Sequence, residues 1–106
     1  MIRFKYRPND EMLQMIMQVT ENHITDGTIY GILREEDKFQ IKSKSLFLVC
    51  GVRENEYHKH IYSDPTAVVA KNDYEAIEIY AEDTGNSGSV MCTLETNAAK
   101  AKVEVI

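Results

Sequence analysis

Strict alternation in Ile2-Arg3-Phe4-Lys5-Tyr6-Arg7 places three apolar side chains on one face of a strand and three cations on the other, and Pro8 ends it. Residues 10–21 fit two periods. As a helix they bury Met12, Leu13, Ile16 and Val19, with Asn9 or Asp10 as the cap. As a strand, Leu13, Met15, Met17 and Val19 alternate against Gln14, Ile16 and Gln18. Met, Leu, Gln and Glu favour the helix on propensity, so the helix is preferred.

Residues 28–33 and 38–42 are short and rich in β-favouring side chains, and 34–37 (REED) is a polar turn, so the pair is expected to form a hairpin. Residues 46–52 are apolar on both faces, the mark of a strand inside a sheet. Residues 57–62 are expected as an extended edge segment. A further strand, 66–70, is entered through the turn signal Asp64-Pro65. The clearest helix follows it. Asn72 and Glu75 form an N-x-x-E cap, Tyr74, Ile77, Tyr80 and Ala81 recur at helical spacing, and Gly85 stops the run. Strands at 89–95 and 101–106 complete a single α+β domain, residues 1–106, with a mainly antiparallel β-sheet and one or two packed α-helices.

Composition narrows the class. With 43% apolar and 27% charged residues over 106 positions, the chain matches a soluble folded domain rather than a disordered tail. The longest apolar run, 46–50, is far short of the roughly 20 residues of a membrane span, so no membrane association is expected. The first ten residues, MIRFKYRPND, lack the apolar stretch of a secretory signal, which points to the cytoplasm. Cys50 and Cys92 each sit in an apolar segment and are expected as reduced, buried thiols. A symmetric homodimer through an exposed sheet edge is one expected assembly.

The net charge is −5, and it is uneven: residues 1–53 carry +1 and residues 54–106 carry −6. Projected at 100° per residue, Glu75, Glu78 and Glu82 fall within about 60° of one another, and no Lys or Arg shares their helix. The like-charged pairs Glu75–Glu78 and Glu78–Glu82 cost roughly 0.2–0.5 kcal/mol each. Glu82 and Asp83 also occupy the negative end of the helix dipole. The stripe Glu75, Glu78, Glu82 and Asp83 is therefore the leading candidate for a partner-binding surface, and its complement is a protein with a basic surface. The plainer alternative is a solvated helix face.

A second candidate set belongs to a small-ligand reading, a nucleotide-binding or sequestering protein. It comprises Arg3, Lys5 and Arg7 on the first strand with Tyr57, His58 and His60. If the latter segment is extended, His58 and His60 share a face, a spacing that imidazole–metal sites use. No further ligand spacing accompanies them, so neither a metal nor another cofactor is assigned. Three cations on one strand of an acidic chain do not make a nucleic-acid site, and direct nucleic-acid binding is not expected. Nucleophile elbow, P-loop, dinucleotide and zinc-protease motifs are all missing, so the reading is non-enzymatic.

Residues 68–82, VVAKNDYEAIEIYAE, resemble the strand-to-helix element of small accessory proteins of bacteriophages and mobile elements, anti-CRISPR-like in character. What the resemblance implies is a short acidic protein that blocks a host nucleic-acid-handling or defence factor by docking on it.

Overall fold

Pro8 turns the chain out of strand β1 (Ile2–Tyr6) and into helix α1 (Asp10–Thr20) in the computed structural model, which describes residues 1–106. The Asn9 side chain accepts the Met12 N–H at 2.8 Å, and Asp10 and Glu11 sit at the positive end of the helix dipole. The helix thus forms where two periods competed. Its inward row is Met12, Ile16 and Thr20, with Met15 beside it, while Val19 is exposed. Thr20 takes the buried place expected of Val19 because its hydroxyl donates to the Ile16 carbonyl at 2.6 Å and leaves nothing unsatisfied.

Strand β2 (Ile29–Leu33) does not fold back on residues 38–42. Instead, 38–40 link two 3-10 turns, Glu35–Asp37 and Ile41–Ser43, and the expected hairpin is absent. The physical reason lies in β2 itself. Ile29 and Leu33 enter one core and Ile32 the other, so β2 needs a strand on each side and a helix over each face. It pairs antiparallel with β1 (Phe4 opposite Gly31) and parallel with strand β4 (His60–Ala70; Ala67 beside Gly31). At Gly31 an added Cβ would fall on the Phe4 ring and within 2.6 Å of the Ala67 carbonyl. Only glycine lets the ring lie there.

Strand β3 (Ser45–Glu54) runs antiparallel to β4, and both alternate between two apolar faces. The segments 57–62 and 66–70, expected as separate strands, are largely one. Asp64 and Pro65 lie inside β4 as a bulge, since Thr66 pairs with Val49 and Ser63 with Gly51, leaving two residues opposite Cys50. Asp64 adopts φ 50, and Pro65 has no N–H to withhold from the ladder. Tyr57 and His58 lie in the turn, where the Asn55 carboxamide oxygen accepts the N–H groups of Tyr57 and Lys59.

Helix α2 (Asp73–Thr84) follows β4, then strand β5 (Gly88–Glu95) and the three-residue strand β6 (Val103–Val105). The sheet order is β5-β3-β4-β2-β1-β6, and only the β2–β4 pairing is parallel. The expected α+β architecture holds, with one helix on each face. Phe4, Ile16, Leu46, Leu48 and Val69 centre the core under α1. Ile32, Phe47, Val49, Ala76, Ile79 and Tyr80 centre the core under α2. Neither helix is long and apolar enough to cross a membrane.

Candidate functional site

Two local features set how α2 sits. The Asn72 side chain accepts the Glu75 N–H at 2.9 Å, and Gly85 closes the last turn at φ 73. Ala76, Ile79 and Tyr80 then turn onto the sheet. This phase differs from the expected inward set. Ala81 is exposed, Ile77 is half-buried, and Tyr74 points into solvent at 85% exposure. The reason is packing space: Tyr80 lies against Gly51 and Gly88, where the missing side chains of β3 and β5 admit its ring.

With that phase, the acidic stripe meets cations from other elements. Arg34, just past β2, donates to Glu82 from Nε at 3.1 Å and from Nη2 at 2.6 Å, and from Nη2 to Glu78 at 3.0 Å. The hydrogen bonds to Glu82 hold the guanidinium pKa above its ordinary range; partial burial opposes them, and Glu78 reinforces them. Arg3 of β1 forks onto Asp83 at 2.8 and 3.2 Å. Lys44 reaches Glu75 at 3.2 Å and Asp37 at 3.5 Å, and all three side chains are nearly buried. Burial works against the charge on Glu75, but the Lys44 hydrogen bond, the Lys71 N–H and both cations outweigh it, leaving its carboxyl below the usual range.

The four acids therefore divide. Glu75 and Asp83, with side chains 11% and 12% exposed, are joints between α2 and the rest of the fold. Glu78 and Glu82 stay 65% and 46% exposed while Arg34 fixes their direction. Tyr74, Glu78, Ala81 and Glu82 form one outward row at i, i+4, i+7 and i+8. Tyr74 was missed as a surface residue because its spacing to Ile77 and Ala81 mimics a core stripe. The cap gave the usable signal: two residues after Asn72, a side chain lies in the first turn of the helix.

The second candidate set does not converge. Arg3 is held by Asp83, Lys5 lies between Tyr30 of β2 and Glu104 of β6, and Arg7 is exposed beyond the end of β1. Tyr57, His58 and His60 cap the β3–β4 hairpin, separated from β1 in the sheet by β2. His58 adopts φ 59 in the turn and so does not share a strand face with His60, contrary to the extended arrangement. Its Nδ1 lies 3.9 Å from Glu54 instead. No group of three or more His, Cys, Asp or Glu side chains is arranged to hold a metal ion.

Both thiols are free, Cys50 buried on β3 and Cys92 half-buried on the neighbouring β5. Burial, with Cys92 and Asp64 nearby, pushes the Cys50 thiol up to about 12, far from a nucleophile's range. A groove of about 540 Å³ runs beside β6, and a polar cleft of about 250 Å³ lies at the β4 bulge near Ser63, Asp64 and Tyr80. Compared with family models, with curated proteins and with solved structures, the chain matches none.

Proposed function

We propose that the chain is a non-enzymatic interaction protein that docks on a partner's basic surface through the outward row of α2. The observation that carries this reading is the placement of exposed Tyr74 beside Glu78 and Glu82, whose carboxylates are aimed outward by one guanidinium. An exposed aromatic gives a large contact area with few rotors to freeze, and held carboxylates lose little entropy on meeting a cation. Arg34 offsets one of their two charges, so the row still presents net negative charge.

The likeness of residues 68–82 to small accessory proteins of bacteriophages and mobile elements adds the finer part of the proposal. In that reading the partner is a host nucleic-acid-handling or defence factor, whose basic groove the row would occupy in place of phosphate. The triple variant Tyr74→Ala, Glu78→Gln, Glu82→Gln tests this against the wild type. Extract from the native host is passed over each protein, and the retained proteins are compared by mass spectrometry. A basic protein held by the wild type and lost by the variant supports the docking row; identical retention sinks it.

A further inference from the structure

The two edges of the sheet are unlike. β5 carries two register shifts against β3 within eight residues, between Leu46 and Phe47 and between Leu48 and Val49, and such bulges spoil an edge as a template. β6 pairs with β1 without a shift. The Ile106 N–H donates to the Arg3 carbonyl at 3.0 Å, and antiparallel alternation then turns the N–H and C=O of Val105 away from β1. Val105 and Ile106 are two-thirds exposed. On the α1 face of this edge, Ile2, Leu33, Ile41, Val103 and Val105 line the groove of about 540 Å³. The charged side chain it presents is a cation, Lys38, on a molecule of net charge −5, since the side chain of Arg3 crosses to the α2 face. Asp83 already holds Arg3, whereas Lys38 has no ion-pair partner.

We infer that β6 and this groove form a binding site for an extended peptide segment of another protein, with alternating apolar side chains and an acidic residue. The segment adds a seventh strand beside β6, its backbone bonding to Val105. Side chains at every second position drop into the groove next to Val103 and Val105, and the acid meets Lys38. The outward backbone groups favour a peptide over an apolar small molecule, and the lone cation sets the sign of its charge. The site is separate from the row on α2, since none of Tyr74, Glu78 and Glu82 lines it, and either proposal can fail without the other.

The test uses a blocked seven-residue peptide that alternates valine with threonine and carries one glutamate near its end. Its binding is followed through the amide spectrum of the full chain. Shifts confined to residues 103–106, Ile2, Leu33, Lys38 and Ile41 are expected. The same peptide with lysine for glutamate should bind about fivefold more weakly, the weight of one exposed charge pair. A peptide N-methylated along the edge-facing side should lose binding, as should the Val105→Pro variant, whose missing N–H serves no bond within the chain. The proposal is overturned if millimolar peptide leaves these amides unmoved, or if the glutamate and lysine peptides bind alike. It is equally overturned if the protein is a dimer that Val105→Pro separates, because the edge then belongs to a second copy.

Discussion

Arg34 holds Glu82 with two parallel hydrogen bonds, Nε to Oε2 at 3.1 Å and Nη2 to Oε1 at 2.6 Å, across 48 positions of sequence. The fork ties the end of β2 to the last turns of α2. It also explains how a helix with five acids and no cation of its own is tolerated. Arg3 on Asp83 and Lys44 on Glu75 complete the same arrangement at other points along the helix.

Replacing Arg34 with Gln should therefore destabilise the fold by about 1 kcal/mol, a figure kept small because both carboxylates are substantially exposed. Urea denaturation of the single variants and of the Arg34→Ala, Glu82→Ala pair measures the coupling, expected at about 0.5–1 kcal/mol and falling with added salt.

Glu75 should make stability fall at acid pH. Its carboxyl lies below the ordinary range in the fold, so its contribution is complete above the unfolded value of about 4.3 and is lost as pH drops through the lower folded value. Lys44 has the opposite sign. Burial pulls its pKa down, Glu75 and Asp37 more than restore it, and the raised value means that its contribution fades only as strongly alkaline pH is reached. Glu75→Gln should cost about 1–2 kcal/mol at neutral pH and much less in acid, read from denaturation curves at the two pH values.

Gly31→Ala should cost about 3 kcal/mol, since the new Cβ meets both the Phe4 ring and the backbone of β4. Thermal unfolding checks this. A companion Phe4→Leu change should recover part of the loss by clearing the ring.

Cys50 should resist alkylation in the native protein and react only on unfolding, because it is fully buried and its thiol is pushed up to about 12. Cys92, half-buried with its thiol also raised by burial, should react slowly but measurably. Mass spectrometry after timed exposure to iodoacetamide separates the two.

Elements that depend on local chemistry were legible in the sequence. The alternation of β1, the apolar run of β3, and the Asn72 cap and Gly85 stop of α2 all lie within a few residues of what causes them. What escaped depends on distant pairing. The parallel contact of β2 with β4 draws its strand away from residues 38–42, and nothing in 28–42 announces it. Asp64-Pro65 carries a turn signal that the long ladder with β3 absorbs as a bulge. The acidic stripe was legible as charge, but not its division. Whether Glu75 or Glu78 faces water depends on Lys44 and Arg34, which arrive from other elements.

The docking row on α2 is tested most directly by the affinity of the captured partner for the wild type and for Tyr74→Ala, Glu78→Gln, Glu82→Gln, measured across salt concentrations. Glu75 is left intact so that the joint to Lys44 survives. Wild-type binding should weaken steadily with salt, and the folded variant should bind at least about tenfold more weakly with a flatter salt dependence. Equal affinity and equal salt dependence in the two proteins would rule the docking row out.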